Sequence, residues 1–403
     1  MVFGRLLGFM MGCLGLADSP TQPSIAESTT QTASTDSSKV SNASPRIRLS
    51  DGRYLAYRER GVPKNKSNYR VIVVHGFGSS KEMHFLVPQD VMDELGIYLL
   101  LFDRAGYGDS DPNPKRSLKS EASDIQELAD QLISGSKFFV IGVSVGSYPT
   151  WSCLKRIPHR QVKSHFKLIQ FFAFQLAGVA LVVPFINYRW PSLPRHLIDN
   201  DYRKNLSRWA LLISRYAPAL LHWYMTQKLF PSSSVLDRNP KFFSKKDMEV
   251  LKNSPGYQLL SRNKLKDRAL FDSHRRDFIA AFGKWDFDPL CLSNPFPDNK
   301  SLVHIWQGCE DKVVPVQIQR FVSEKLPWIH YHEVPDGGHF LVYDSAVCEA
   351  ILRSLVLGED PPLYRPNESA SILNGYPYRC IREPIIERAL VRLDKLARNW
   401  SAD

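Results

Sequence analysis

The chain has 403 residues, a formal net charge of +11 and 43% hydrophobic residues. This composition is ordinary for a globular protein and excludes a fibrous or wholly disordered chain. It also excludes a polytopic membrane protein, which would need several long uncharged apolar runs. The six cysteines include no C-x-x-C pair, so neither a structural zinc site nor a dense disulfide scaffold is indicated.

Residues 1–45 form an N-terminal extension that we expect to lie outside the fold. The first sixteen residues are apolar with one arginine. Three interpretations stay open: a signal peptide or short membrane anchor, a myristoylation-like start at Met11, or a disordered apolar tail. The polar tract of residues 17–45 cannot bury enough apolar surface to offset its ordering entropy, which predicts a disordered linker. Localisation therefore stays open between intracellular and membrane-associated.

From residue 46 onward, short β-branched runs alternate with helical patterns. The runs lack the alternation of a half-exposed strand, which indicates strands covered on both faces, as in a parallel sheet flanked by helices. Strands are predicted at 46–49, 54–58, 71–74, 98–102, 138–141, 179–183, 303–306 and 329–334, and helices at 118–133, 146–157, 316–326 and 345–357. The fold class is therefore predicted to be α/β, with a mostly parallel sheet.

The stretch 187–300 interrupts this rhythm and divides the predicted core into 46–186 and 301–357. It has no clear strand and is rich in aromatic, proline and basic residues, so we expect an inserted helical cap above the sheet edge. Its aromatic residues should line the entrance to the site: Trp209, Tyr216, Trp223, Tyr224, Phe230, Phe242 and Phe243. Residues 358–403 form a C-terminal extension.

The predicted cap carries almost all of the net charge of the chain. Residues 195–284 contain 18 Lys/Arg and 8 Asp/Glu, a balance of +10, and Lys245 and Lys246 are expected to face outward. Such a basic face is either solvated or docks on an anionic membrane surface and admits acidic, lipid-like esters. Nucleic acid is not expected as a partner, because no binding motif accompanies the charge. The oligomeric state stays open.

The motif Gly142-Val143-Ser144-Val145-Gly146 joins a predicted strand to a predicted helix. In that context G-x-S-x-G is a nucleophile elbow, which lifts the serine hydroxyl out of the sheet edge at the positive end of the helix. Side chains two residues before and after the serine would collide in so tight a turn, which accounts for Gly142 and Gly146. Ser144 is therefore the candidate nucleophile.

A serine hydroxyl needs a base within hydrogen-bond reach and a third group that orients the base. The chain order expected after this elbow is serine, acid, histidine. Asp311 follows the predicted strand at 303–306 and is the candidate acid, and His339 follows the last predicted strand and is the candidate base. Three other carboxylates stay open as alternatives for the acid: Glu310, Asp286 and Asp288.

The reaction also needs hydrogen-bond donors for an oxyanion. In this geometry one backbone N–H comes from the residue after the nucleophile, Val145. The second is expected from Phe77, in the glycine-containing loop His75-Gly76-Phe77 that follows the first core strand. His75 itself is expected to brace this loop rather than to take part in the chemistry.

Over residues 46–357 the chain resembles the α/β-hydrolase superfamily. The resemblance is carried by the elbow, the loop at Gly76 and the Asp-Arg-Ala-Gly-Tyr-Gly-Asp-Ser turn at 103–110. It implies that Ser144 is the nucleophile, Asp311 the acid, His339 the base and Asp103 a structural residue. Four further segments resemble a plant subgroup whose substrates are poorly defined: 102–104, 110–114, 187–191 and 326–330.

The resemblance implies a serine hydrolase that cleaves a carboxylic ester or thioester, including lipid-like ones, through an acyl-enzyme. The serine argues against epoxide hydrolases and haloalkane dehalogenases, whose nucleophile is a carboxylate. Neither a metal nor an organic cofactor is required. Two alternatives stay open: a non-catalytic small-molecule receptor on this fold, and an acyltransferase that uses the same three residues.

Residues 161–175 interrupt the resemblance. Relatives run directly from a segment like 157–160 into one like 176–180, whereas fifteen residues intervene here. Three origins stay open: translated intron sequence, an ordinary loop insertion, or a membrane segment within the greasy run 166–186. Whether the mature protein contains this anomalous insertion is a separate open question.

Overall fold

A twisted sheet lies at the centre of the chain in a computed structural model that describes seven ranges: 44–133, 137–157, 175–199, 201–226, 243–253, 262–296 and 303–359. All of these residues belong to one unit, Met1–Arg365, and a second unit, Pro366–Asp403, lies outside the described ranges. The predictions for 1–43, 161–174 and 360–403 likewise concern residues outside those ranges.

The sheet has eight strands, and the fold-class prediction is confirmed. They are β1 Arg46–Arg48, β2 Tyr54–Gly61, β3 Tyr69–Val74, β4 Ile97–Phe102, β5 Lys137–Val143, β6 Gln175–Val182, β7 Val303–Gly308 and β8 His330–Val334. Their spatial order is β1-β2-β4-β3-β5-β6-β7-β8. Strands β3 to β8 pair in parallel, and β1 and β2 pair antiparallel at one edge.

Helices cover both faces of the sheet and fill the interval between β6 and β7. In chain order they are α1 Gln89–Leu95, α2 Leu118–Leu132, α3 Ser147–Arg156, α4 Arg195–Ile198, α5 Tyr202–Tyr216, α6 Pro218–Thr226, α7 Lys245–Asn253, α8 Arg262–Leu265, α9 Arg268–Phe282, α10 Val316–Lys325 and α11 Ser345–Leu357. One apolar core joins the sheet to α2, α3 and α10, and the other joins it to α1 and α11. We call the described residues between β6 and β7, with helices α4 to α9, the helical insert.

Local sequence explains why the core helices begin where they do. Ser117 caps α2, because its hydroxyl accepts from Ser120 N and the Ser120 hydroxyl accepts from Ser117 N. Asp344 caps α11 through the backbone N–H groups of Ala346 and Val347. Each helix then presents an apolar face to the sheet. Helix α1 was not predicted.

Strand β6 begins four residues earlier than predicted, at the last residue of the anomalous insertion. It pairs with β5 from Gln175 onward, with a register shift at Phe138/Phe139. Within the apolar run at 166–186, residues 175–182 therefore form an interior strand of the sheet. No helix within the described ranges is long and apolar enough to cross a membrane.

Candidate active site

Ser144 lies in a sharp turn between β5 and α3. Its φ of 51° is in the left-handed region, which a residue with a side chain seldom adopts. A single 3₁₀ turn over Ser144–Gly146 leads directly into α3. Such backbone strain persists only where the surrounding structure over-determines the conformation. The turn thus places the serine at the carboxyl end of β5 and in front of α3.

The two glycines of this turn leave no room for a side chain. A Cβ atom at Gly142 would overlap the Thr150 side chain and the Gly146 carbonyl oxygen. A Cβ atom at Gly146 would overlap the carbonyl oxygens of Val74 and His75. Both positions therefore need glycine, and the contacts that require it include β3 and α3 as well as the turn itself.

His339 and Asp311 lie beside Ser144, in loops that follow the adjacent strands β8 and β7. Ser144 Oγ is 2.9 Å from His339 Nε2, and His339 Nδ1 is 2.8 Å from Asp311 Oδ2. A carboxylate only accepts hydrogen bonds, so Nδ1 carries the proton and Nε2 of the neutral ring accepts from the serine hydroxyl. The structure thus brings together the three side chains predicted as nucleophile, base and acid.

The Asp311 carboxylate is buried and held by several donors. Its Oδ1 accepts from Val313 N at 2.8 Å and Val314 N at 2.9 Å. Its Oδ2 accepts from Gln307 Nε2 at 3.2 Å in addition to His339. With its position fixed in this way, the carboxylate can fix the tautomer and the orientation of the imidazole.

None of the three alternative carboxylates is bonded to His339. Glu310 is exposed. The Asp286 side chain is 62% exposed and forms an ion pair with Arg156. Asp288 accepts hydrogen bonds from Leu290 N at 3.0 Å and Ser192 N at 2.8 Å. Asp311 is therefore the carboxylate that the geometry favours.

The pKa of His339 is raised above its ordinary value. Burial of the ring by itself lowers the pKa, but the charge and hydrogen bond of Asp311, together with the charge of Asp247, outweigh that effect. A general base works best when its pKa lies near the operating pH. The arrangement can therefore take a proton from a hydroxyl group and stabilise the imidazolium that results.

The loop after β3 lies next to the serine hydroxyl. A Cβ atom at Gly76 would be 3.4 Å from Ser144 Cβ and 4.0 Å from Ser144 Oγ. The next amide in the chain is that of Phe77, and Val145 follows the serine within the 3₁₀ turn. The two amides predicted as oxyanion donors thus belong to backbone segments that adjoin Ser144.

His75 braces this loop by orienting the peptide group between Gly76 and Phe77. His75 Nδ1 is 2.7 Å from Gly76 O, so Nδ1 carries the proton. His75 Nε2 accepts from Arg104 N at 3.1 Å. Burial and the charge of Arg104 hold the pKa of His75 well below its ordinary value, so the ring is neutral. In a trans peptide the C=O and N–H bonds point in opposite directions, so fixing Gly76 O also fixes Phe77 N–H.

A buried ionic cluster connects the same loop to the helical insert. Arg104 donates two hydrogen bonds of 2.7 Å to the carboxylate of Asp277, which belongs to α9. Its Nε donates to His75 O at 3.1 Å. Asp277 also accepts from the hydroxyls of Tyr107 at 2.5 Å and Tyr148 at 2.7 Å. The cluster therefore joins α9, α3 and the loop after β4 to the loop beside Ser144.

Replacing Asp277 with alanine is expected to lower the free energy of unfolding by about 3–5 kcal/mol, because the buried Arg104 guanidinium would lose the carboxylate that accepts its two shortest hydrogen bonds. Burial raises the pKa of Asp277, but Arg104 and Arg116 outweigh it and hold the pKa well below its ordinary value. Urea denaturation at neutral pH measures the loss. Asp286→Ala, at an exposed ion pair, is the control and should change stability by less than about 1 kcal/mol. Equal losses in the two variants would contradict the prediction.

A small apolar cavity opens beside the serine. Its volume of about 20 Å³ is room for about one water molecule. Apart from Ser144 and Tyr188 its lining is apolar: Val145, Phe185, Ile186, Phe282, Val313, Val314 and Pro315. A substrate group that enters this cavity therefore meets an apolar surface, and a large one needs side chains of the lining to move.

Four of the aromatic residues singled out in the sequence have described side chains, and none of these four lines this cavity. Trp209, Tyr216 and Trp223 are exposed by 57%, 75% and 49%. Phe243 is buried and stacks on Phe340. Two others, Phe230 and Phe242, and the side chain of Tyr224 lie outside the described part of the chain.

Lys246 is exposed, as predicted, but it also forms an ion pair with a residue of the core. Its Nζ is 3.1 Å from Asp344 Oδ2, so it pairs with the residue that caps α11. Lys245 is exposed, as predicted. Neutralising both lysines would therefore disturb a contact between the insert and the core, and would not be a clean test of surface charge.

Three buried polar side chains near the site were not predicted: Tyr148, Asp247 and Asp277. Asp277 meets Arg104, which lies 173 positions earlier in the chain, so no local pattern connects the two. One signal was present, because acids are scarce in the basic stretch 195–284. A buried arginine needs a carboxylate, and these few acids are where it finds one.

Comparison with known proteins places this chain in a family. A family model described as the alpha/beta hydrolase family matches residues 71–351, which is more than half of the chain. None of the curated proteins matches the chain.

Three solved structures have a TM-score of 0.50. An esterase from Exiguobacterium antarcticum is 18% identical over 78% of this chain and 99% of its own. A bromoperoxidase from Bacillus anthracis is 16% identical over 79% and 100%. One described under novel epoxide hydrolases from hot-environment metagenomes is 15% identical over 78% and 98%. At these identities the likeness concerns the fold alone, and the family match gives the membership: this chain belongs to the alpha/beta hydrolase family.

Proposed function

We propose that the chain is a serine hydrolase that cleaves a carboxylic ester or thioester through an acyl-enzyme. The observation that carries the proposal is the continuous hydrogen-bonded series from Ser144 Oγ through both ring nitrogens of His339 to the buried Asp311 carboxylate. Nucleophile, base and orienting acid in this geometry are the parts that acyl transfer requires.

In the proposed reaction, Ser144 Oγ attacks the substrate carbonyl carbon while His339 Nε2 takes the hydroxyl proton. Asp311 holds Nδ1–H and stabilises the imidazolium. The N–H groups of Phe77 and Val145 bind the oxyanion. The imidazolium then protonates the leaving alcohol or thiol, and a water molecule activated by His339 releases the acid from the serine. The reaction requires neither a metal nor an organic cofactor.

A fluorophosphonate probe tests the proposal, because it phosphonylates a serine that a neighbouring base has activated. We expect one covalent adduct per chain, and peptide mass spectrometry should locate it at Ser144. A panel of small esters and thioesters then separates the alternatives. Labelling without turnover would favour a receptor, and acyl transfer to an added alcohol in preference to water would favour an acyltransferase. Absence of labelling in a folded preparation would contradict the proposal.

A small-molecule ester with an apolar group is the proposed substrate. The apolar cavity beside Ser144 supports this, since it offers the substrate few hydrogen-bond partners. The narrower resemblance to a plant subgroup of undefined substrate stays a prediction. So does the division of residues 46–357 into two core segments with a cap over the site.

An anionic membrane surface is the proposed macromolecular partner. Trp209, Leu212 and Tyr216 follow one another at helical spacing and are all exposed, so they share one face of α5. Arg208 and Arg215 are exposed on the same helix, and Tyr202–Tyr216 contains no acidic residue. Exposed aromatic residues flanked by arginine suit the interface of a bilayer that carries negative charge.

Charge reversal at Arg208 and Arg215 is expected to weaken binding to vesicles with anionic lipid by at least about tenfold, since each basic residue near such a surface contributes about 1 kcal/mol. Sedimentation with anionic and neutral vesicles measures this. Binding by the wild type should fall as salt rises, because the Debye length shrinks from about 10 Å at 0.1 M to about 3 Å at 1 M. Reversal at Lys66 and Lys119, exposed on the core, is the control. Binding that is equally strong on anionic and neutral vesicles would refute the proposal that α5 docks on an anionic membrane.

A further inference from the structure

The helical insert contacts the loop that carries His339 through the residues that begin α7. Phe243, Ser244 and Asp247 are 3%, 1% and 1% exposed. The ring of Phe243 stacks on that of Phe340, with centroids 5.6 Å apart and planes inclined by 20°. The start of α7 is therefore packed directly against the residue that follows His339.

Both oxygens of the Asp247 carboxylate accept a backbone hydrogen bond. Oδ2 accepts from Ser244 N at 3.0 Å, and the Ser244 hydroxyl accepts from Asp247 N at 3.1 Å, which is a reciprocal cap of α7. Oδ1 accepts from Phe340 N at 2.9 Å. A helix cap needs only the first pair of bonds, so the bond to Phe340 has a separate consequence.

That consequence concerns the two neighbours of His339 in the chain. Phe340 donates its amide to Asp247, and a Cβ atom at Gly338 would overlap both oxygens of the same carboxylate. Only glycine therefore allows the loop to lie so close to the acid. His339 is thus held between two residues that each touch Asp247.

We propose that Asp247 is a positioning residue for His339, through which the seating of α7 on the core sets the orientation and the basicity of the histidine. The proposal rests on the proposed function in one respect, that His339 acts as a general base. Asp311, which belongs to the core, orients the ring of His339. Asp247, which belongs to the insert, holds the backbone on either side of His339. Displacing α7 would remove the second support.

The charges around His339 determine the sign of the expected pH effect. Burial lowers its pKa, and the negative charges of Asp311 and Asp247 raise it by more. Removing the charge of Asp247 therefore lowers the pKa, and the acid limb of kcat/KM should move to lower pH. Among the described residues, other charged groups near this junction include the Lys246–Asp344 ion pair and two exposed acids of the flanking loops, Glu310 and Asp336.

Two substitutions separate the charge of Asp247 from its hydrogen bond. Asp247→Asn removes the charge and keeps one acceptor oxygen, which can stay bonded to Phe340 N while the bond from Ser244 N is given up. It should therefore lower the His339 pKa with little loss of kcat. Asp247→Ala also removes the bond to Phe340. We expect kcat to fall on the order of 10- to 10²-fold, the typical effect of a small misplacement, with KM for a small soluble ester nearly unchanged.

Ser244→Ala is the matched control, because it weakens the cap of α7 and leaves the Asp247–Phe340 bond in place. It should lower the unfolding midpoint without moving the His339 pKa. The pKa is measured by NMR titration of the imidazole in a Ser144→Ala background, with His339→Gln to assign the signal. This readout does not depend on turnover. If the protein hydrolysed no ester, the proposed function would be refuted, but the titration would still test whether Asp247 acts on His339.

A lower His339 pKa in Asp247→Asn and an unchanged one in Ser244→Ala would support the proposal. An unchanged His339 pKa in Asp247→Asn, in a protein that remains folded, would overturn it. An equal shift in Ser244→Ala would also overturn it, since Asp247 would then act only as a helix cap.

Discussion

Alanine at position 144 is expected to abolish ester turnover and fluorophosphonate labelling, with kcat falling on the order of 10⁶-fold. Without the hydroxyl, no attack on the carbonyl can take place and no acyl-enzyme can form. Thermal stability should stay nearly unchanged, because serine and alanine bear the same strain at the φ of 51°. Rates with a chromogenic ester, adduct mass and the unfolding midpoint measure the three quantities.

Ser147→Ala is the matched control for this experiment. Ser147 is the first residue of α3, three positions after Ser144, and its buried hydroxyl has no hydrogen-bond partner within the described residues. Its replacement should leave turnover and labelling intact. Ester turnover that survives in purified Ser144→Ala protein would mean that another residue is the nucleophile.

Asparagine at position 311 is expected to lower kcat by about 10⁴-fold and to leave KM nearly unchanged. The amide would present a donor to His339 Nδ1, so the imidazole proton would move to Nε2. Protonated Nε2 could no longer accept a hydrogen bond from the Ser144 hydroxyl. The loss would appear in the transition state, because substrate contacts are untouched. Steady-state kinetics with a small ester measure it.

Glu310→Gln and Asp286→Asn provide the comparison for this substitution. Glu310 neighbours the acid in the chain but is exposed, and Asp286 is an exposed partner of Arg156. Each should change kcat by less than about threefold, because neither touches the histidine. A larger loss in either variant than in Asp311→Asn would show that the acid is assigned to the wrong residue.

The sheet could be predicted because each of its strands has a local sequence pattern. Buried parallel strands such as β3 and β4 need β-branched and aliphatic residues on both faces, which produces short apolar runs. The eight predicted strands all occur, with ends displaced by up to four residues. The largest displacement is at β6, whose first residues Gln175 and Leu176 pair with Lys137 and Phe138 ahead of the predicted strand 179–183.

Helix α1 illustrates what local pattern does not reveal. The segment Gln89–Leu95 has only seven residues, too few for the periodicity of a helix to stand out. It is stabilised by packing of Val91, Met92 and Leu95 in the core beside β3 and β4, and by Gly96, which ends it in the left-handed conformation. Tertiary contact and one glycine decide this helix.

The site divides in the same way. Ser144, Asp311 and His339 could be predicted because each follows a strand in a recognisable turn, and parallel strands bring their carboxyl ends to one edge. Asp247 and Asp277 could not, because each is hydrogen-bonded to a partner on another element, Phe340 or Arg104, that no spacing identifies. The sequence likewise does not tell which lysine of the insert will find a carboxylate, as Lys246 does at Asp344.

The separation of Ser144 from His339 has a consequence for the nascent chain. The two residues are 195 positions apart, so at about 5–20 residues per second the ribosome adds the histidine about 10–40 s after the serine. During that interval the elbow can form on β5, but β7 and β8 have not yet joined the sheet. Its hydroxyl then has no base, and a half-made chain should be inert toward the cell's esters until the last two strands are added.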